Sequence, residues 1–140
     1  MRVYLIGSLR NPNVPTIAAT LRAAGHEVFD DWHSAGPEAD DHMRDYLRAR
    51  GQDYNTALRS YAVQHVFNFD KRHLDRSDVA VLVMPGGKSA HLELGYVAGS
   101  GGRGIILMDG EPERLDIMHA FAERVVFSVD ELVAYLAVKS

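Results

Sequence analysis

Glu93, with Ser89 four residues before it and the turn Gly86-Gly87 just upstream, is the strongest grouping of chemistry-bearing residues in the 140-residue sequence. The segment Met84-Pro85-Gly86-Gly87-Lys88-Ser89-Ala90-His91-Leu92-Glu93 has the form of a strand end, a glycine turn and a helix start. Free backbone N–H groups at such a helix start can hold an anion. If the helix begins near Ser89, Ser89 and Glu93 share one face as an i,i+4 pair. The positive end of the helix dipole is then expected to keep Glu93 ionised. An ionised, positioned carboxylate beside an anion-binding loop is what a nucleophile attacking a sugar C1′ requires. An ordinary solvated glutamate in the first turn fits the local pattern as well, since acidic first turns are common.

A second grouping is Gly7-Ser8-Leu9-Arg10-Asn11. It matches neither a phosphate-binding loop of the Gly-x-x-x-x-Gly-Lys type nor a Gly-x-Gly-x-x-Gly fingerprint. Gly7 allows close backbone approach, and Ser8 and Arg10 can bond a phosphate or a ribose hydroxyl. A plain strand-to-helix connection with a surface arginine is the alternative. Asp70 reads either as the N-cap of a helix leading into the next strand or as an acid within a site. Tyr4, inside the first strand, reads as core with its hydroxyl satisfied at the edge. Trp32, after Asp30-Asp31, is placed either to stack on a base or to cap the core.

The seven histidines show no metal-ligand spacing. His91 and Glu93 do not form a His-Glu-x-x-His helix, and Asp40-Asp41-His42 has no partner motif, so no metal is expected. The absence of a Gly-x-Ser-x-Gly elbow argues against a serine triad. With no cysteine in the chain, thiolate zinc sites, disulfides and cysteine nucleophiles are excluded. The formal net charge is −4, with Lys and Arg dispersed, so a nucleic-acid polymer is not an expected partner. The run Arg44, Arg48, Arg50 reads as a solvated helix face. No apolar run approaches the roughly 20 residues of a membrane span. The N-terminus is too short and strand-like for a signal peptide, which makes a cytoplasmic protein the expectation.

The elements that must position these residues follow from hydrophobic patterning. Val3 to Ile6 ends at Gly7-Ser8 as a first strand. Ile17, Leu21 and Ala24 recur at helical spacing before Gly25, and Glu27 to Phe29 forms a second strand. A polar loop from Asp30 to about Asp40 precedes helical stretches over 38–50 and 52–67. In the second of these, Tyr54, Leu58, Tyr61 and His65 share a face. A helix over 70–76 then leads into Asp78 to Met84, apolar almost throughout as in a central parallel strand. A helix over 89–99, a strand at 105–108, a short helix over 113–123, a strand at 125–127 and a helix over 130–138 complete the pattern. The prediction is a single domain over 1–140, a doubly wound, Rossmann- or flavodoxin-like α/β sheet of about five parallel strands with helices on both faces. Ligands bind such sheets outside the carboxyl ends of the strands, which singles out loops 7–13, 30–36, 85–91 and 108–111.

Taken together, these residues resemble the nucleoside 2-deoxyribosyltransferase family and its relatives, the 2′-deoxynucleoside 5′-monophosphate N-glycosidases. Tyr4-Leu5-Ile6-Gly7-Ser8-Leu9-Arg10 is similar to the opening motif of the hydrolases, whose Gly-Ser-x-Arg loop meets sugar and 5′-phosphate. Asp70, eight residues before Asp78, matches the spacing of the family aspartate that assists at the base. Ser89 to Tyr96 is similar to the nucleophile motif, a glutamate followed by x-Gly. The resemblance implies cleavage of the N-glycosidic bond of a nucleoside or nucleotide, with Glu93 attacking C1′, Asp70 helping to protonate the base and Tyr4 orienting Glu93. It implies contacts to sugar and 5′-phosphate from Gly7, Ser8 and Arg10, and assembly as a homodimer or larger oligomer. Trp32, Gly86, Gly87 and Ser89 complete the substrate-binding set expected from the local pattern, and no cofactor is expected. Two departures stand out. Relatives often carry Asp or Ser six residues before the glutamate, where this chain has Gly87, and the stretch 31–68 is longer than in the compact hydrolases. Readings from other classes are a non-catalytic nucleotide-sensing module, a TIR-like NAD glycohydrolase and a plain interaction domain. For the last, the sequence shows no specific exposed apolar stripe.

Overall fold

Arg2–Ile6 (β1) leads into the helix Val14–Ala23 (α1) and the strand Glu27–Phe29 (β2), in a computed structural model that describes residues 1–138. A 3-10 turn at Asp31–Ala35 follows, then the helices Ala39–Ala49 (α2), Tyr54–Arg59 (α3) and Tyr61–Asp75 (α4). The rest comprises Val79–Val83 (β3), Lys88–Gly99 (α5), Gly104–Leu107 (β4), a 3-10 turn at Ile117–Phe121, Arg124–Val126 (β5) and Val129–Val138 (α6). All strand pairings are parallel, in the order β2-β1-β3-β4-β5. This is the flavodoxin-like order, and its topological switch point lies between β1 and β3.

Strand alternation sorts the core into two layers. Val3, Leu5, Val79, Val81 and Val83 face α1 and α6, where Val14, Ile17, Leu21, Leu132 and Leu136 cover them. Tyr4, Ile6, Ala80 and Leu82 face the opposite way, against Ala90, Leu94 and Val97 of α5 and Leu74 of α4. Burial on both faces explains why β3 is apolar throughout. Each fully buried Leu or Ile in these layers contributes about 1.5–3 kcal/mol. The second layer positions the chemistry, because it sets Tyr4 beneath the two helices that carry Glu93 and Asp70.

Three helical boundaries differ from the expectation. The stretch 52–67 is divided at Ser60, whose backbone is extended and whose Oγ accepts from the Val63 N–H at 3.3 Å, capping α4. Asp53 caps α3 in the same way, accepting from Thr56 at 2.8 Å. From Ser60, α4 runs unbroken past Phe67, so Asp70 lies inside a helix and is not an N-cap. The short helix expected over 113–123 contracts to the 3-10 turn Ile117–Phe121, capped by Asp116. The expected loop after Asp30 contains a 3-10 turn.

The face on which the sequence places Tyr54, Leu58 and Tyr61 is part of an exposed apolar surface. Tyr54, Leu58, Tyr61, Val66, Phe67 and Phe69 are all exposed along α3 and α4, Tyr61 at 96%. Among the described residues, no helix is long and apolar enough to cross a membrane.

Candidate active site

Two helices bring carboxylates to one buried tyrosine. Glu93 lies in the second turn of α5, three residues after Ala90 and beside Leu94, so it flanks the stripe that packs on the sheet. Asp70 lies one turn before Leu74, the residue that seats α4 on the same layer. Tyr4 points up between them from the middle of β1 and is only 2% exposed. Its hydroxyl donates a hydrogen bond to the Glu93 carboxylate.

The electrostatics follow from this packing. Burial pushes the Glu93 carboxyl up to about 7; the Tyr4 hydrogen bond opposes the rise and the nearby charge of Asp70 adds to it. Burial also raises Asp70, with His73 on the same helix working against it. Burial above all, and then the charges of Glu93 and Asp70, hold the Tyr4 hydroxyl far above its usual range, so Tyr4 stays a donor. The sequence led us to expect that the helix dipole would keep Glu93 ionised. Burial raises its proton affinity instead, so that near neutrality the carboxyl is divided between its neutral and ionised forms.

An aromatic bed supports the site from below. Phe29 stacks on Tyr4 at 5.1 Å and on His73 at 4.1 Å, and Phe69 meets the His73 ring edge at 4.8 Å. Neither Phe29 nor His73 stood out in the sequence, because their association depends on β2 lying beside β1 and beneath α4.

The loop after β1 is held by Asn11, the one buried polar residue of the described chain, at 3% exposure. Asn11 Nδ2 donates to the Met84 carbonyl at 3.4 Å, and Asn11 Oδ1 accepts from Asn13 N at 3.0 Å. His33 Nε2 donates to the Asn11 carbonyl at 2.8 Å. These bonds join the loops after β1, β2 and β3 at the carboxyl edge of the sheet. Ser8 Oγ accepts from the Arg10 N–H at 3.1 Å, and the Arg10 guanidinium reaches Asp41 of α2 at 3.3 Å on the surface. Trp32 caps the core: its indole N–H donates to the Leu5 carbonyl at 2.7 Å, and its ring packs against both layers.

The two glycines before α5 differ in kind. A Cβ on Gly86 would lie 2.9 Å from Leu82 Cδ1 and 3.1 Å from Ala90 Cβ, so close packing of turn, strand and helix requires glycine there. A Cβ on Gly87 would meet nothing within 4 Å. Gly87 is the extended N-cap of α5 and offers no side-chain cap, and Ser89 is exposed in the first turn. Two clefts of about 180 and 220 Å³ lie toward the opposite, amino edge of the sheet and contain neither Glu93, Asp70 nor Tyr4.

No protein-family model and no curated protein matches the chain by sequence. Solved structures do match it. A 2-deoxyribosyltransferase from the psychrotolerant bacterium Bacillus psychrosaccharolyticus superposes with a TM-score of 0.66 at 17% identity, over 96% of this chain and 92% of that one. A CMP N-glycosidase of Clostridium botulinum superposes with a TM-score of 0.58 at 14% identity, over 98% of this chain and 99% of that one. The chain shares the fold of these two enzymes. Each superposition spans nearly the full length of both partners.

Proposed function

We propose that this chain, a single domain over 1–140, is an enzyme that cleaves the N-glycosidic bond of a deoxynucleoside or nucleoside, or of its 5′-monophosphate. One observation carries the reading: Glu93 is hydrogen-bonded to buried Tyr4 and faces Asp70 at a sheet switch point. Two acids near one reacting centre are the requirement of a retaining glycosidase. The fold shared with a deoxyribosyltransferase and a CMP N-glycosidase supports it.

In the proposed mechanism the ionised Glu93 attacks C1′. The C1′–N bond breaks, its electron pair leaves with the base, and a glycosyl ester forms on Glu93. Asp70 supplies the proton that the departing base takes up. Water then attacks C1′ to release free sugar, or a second base attacks to form a new nucleoside; Asp70 takes up the proton that the attacking group loses, and Glu93 leaves C1′ as a carboxylate. Burial makes Glu93 a more basic nucleophile than an exposed glutamate. The Tyr4 hydrogen bond holds its direction and keeps part of it ionised at neutral pH.

Gly7, Ser8, Arg10 and the uncapped start of α5 (Gly86, Gly87, Ser89) are the proposed contacts for sugar and 5′-phosphate. The fit of Trp32 is to the wall of this site rather than to a stacked base, since its indole N–H is bonded to β1. The exposed aromatics of α3 and α4 favour a homodimer or larger assembly.

The test is release of free base from a panel of deoxynucleosides, ribonucleosides and their 5′-monophosphates, with and without a second base. Glu93→Ala should abolish turnover while leaving the circular dichroism spectrum unchanged. Near-normal turnover in that variant would remove Glu93 from the mechanism. Nicotinamide release from NAD, with no base released from the panel, would move the chain to the NAD glycohydrolase class.

A further inference from the structure

On the other side of α5 a second cluster forms. His91 Nε2 and His119 Nε2 lie 3.2 Å apart, and His119 Nε2 lies 3.4 Å from Asp116 Oδ2. The three ligand atoms fall within 4.8 Å of one another. We propose that His91, His119 and Asp116 bind one divalent transition-metal ion of the zinc class, at a site separate from Glu93, Asp70 and Tyr4.

The geometry carries this in three ways. Ligands about 2.0–2.1 Å from a tetrahedral ion stand about 3.3 Å from one another, and both measured separations match that edge. The imidazole planes lie within 15° of parallel with centroids 5.4 Å apart. Two rings whose nitrogens point at one such ion have centroids about 5 Å apart.

Proton placement is the third. His91 Nδ1 lies 2.8 Å from the Gly87 carbonyl, which can only accept. Nδ1 therefore carries the hydrogen, and Nε2 of the neutral ring presents a lone pair toward His119. A carbonyl bonded to the outer nitrogen is the usual device that fixes a metal-binding tautomer. Asp116 is divided similarly: Oδ1 accepts from the Met118 N–H at 3.0 Å as a cap, which leaves Oδ2 toward the cluster. A single ring hydrogen between the imidazoles would satisfy one pair of atoms, whereas a cation satisfies all three.

Two imidazole nitrogens and one carboxylate oxygen suit Zn²⁺, Co²⁺ or Ni²⁺, and disfavour Mg²⁺ and Ca²⁺, which take oxygen ligands. His91 and His119 are half-buried and Asp116 is exposed, so an ion has an entry path and a water can fill the fourth position. His91 and Glu93 are two residues apart on α5 and so lie on opposite sides of the helix. The ion would touch neither Glu93 nor Asp70. It would clamp the β4–β5 connection to the helix start that follows Gly86-Gly87. The sequence conceals this site because His91 stands 25 and 28 residues before Asp116 and His119.

The test uses chelator-stripped protein titrated with ZnCl₂ by calorimetry, and with CoCl₂ by visible absorption. One Zn²⁺ per chain should bind and raise Tm, and MgCl₂ should do neither. His91→Ala and His119→Ala should each weaken Zn²⁺ binding by at least about tenfold and abolish the Tm gain. Asp116→Asn should weaken it less. His42→Ala, at the exposed His42–Glu38 pair of α2, should leave it unchanged. Ring-nitrogen NMR of the unmutated protein guards against a variant that fails to fold: Zn²⁺ should move the Nε2 signals of His91 and His119 together. Equal affinity in His119→Ala, or shifts confined to other histidines, would overturn the proposal.

Discussion

The Tyr4 hydroxyl, rising from the middle of β1, donates to the Glu93 carboxylate in the second turn of α5, and so joins sheet and helix layer at the site itself. The bond has two effects. It fixes where the carboxylate points, and it opposes the burial that drives Glu93 toward its neutral form.

Tyr4→Phe keeps the ring stacked on Phe29 and removes only the donor. Without it, the Glu93 pKa moves above about 7, and less of the nucleophile is ionised at neutral pH. Base release at pH 7 should fall about ten- to hundredfold, the worth of a hydrogen bond to a charged group. The acid limb of the kcat/KM profile should move to higher pH and part of the loss should return in alkali. If the midpoint of that limb stays where it is in the unmutated protein, Tyr4 serves packing alone.

Glu93→Gln should stabilise the fold while destroying activity. The folded pKa of Glu93 is raised from 4.5 to about 7, so the folded chain binds that proton more tightly than the unfolded chain. The resulting stability is fully present below about pH 4.5 and is lost as pH rises through about 7. The neutral glutamine avoids the buried charge. Urea unfolding at about pH 8 should show the variant more stable by up to about 3 kcal/mol, with the difference vanishing in acid. A variant less stable than the parent at pH 8 would contradict the buried-charge account.

Arg10→Gln separates nucleotide from nucleoside recognition. The Arg10–Asp41 pair is exposed, so its loss should leave Tm nearly unchanged. Under the proposed function, KM for a 5′-monophosphate should rise by about tenfold or more through loss of a charge-assisted contact. KM for the unphosphorylated nucleoside should stay the same. An equal effect on both substrates would place Arg10 away from the phosphate.

Gly86→Ala and Gly87→Ala should part sharply. The first puts a methyl 2.9 Å from Leu82 Cδ1 and 3.1 Å from Ala90 Cβ, overpacking that should cost about 1–3 kcal/mol in urea unfolding. The second meets open space at an extended backbone position and should cost nothing measurable. Similar losses in both would mean that backbone freedom, rather than contact, governs this turn.

Patterning along the chain determined the parallel α/β class and the strands, because burial on one or both faces leaves a periodic mark on local sequence. The run Val79–Val83 and the turn Met84 to Gly87 are legible for that reason, and with them the start of α5 and the place of Glu93 one to two turns inside it. The helix that carries Asp70 was misread, since Asp70 resembles a cap while the capping hydrogen bond is made by Ser60, ten residues earlier. Which face of β1 meets which helices was beyond local pattern: the order β2-β1-β3-β4-β5 decides it. Only that order sets Tyr4 under α4 and α5, buries Glu93 enough to raise its proton affinity, stacks Phe29 between Tyr4 and His73, and brings His91 to His119 across the β4–β5 connection. Proton affinities and ligand clusters depend on what surrounds a group in space, and residues far apart in sequence supply those surroundings.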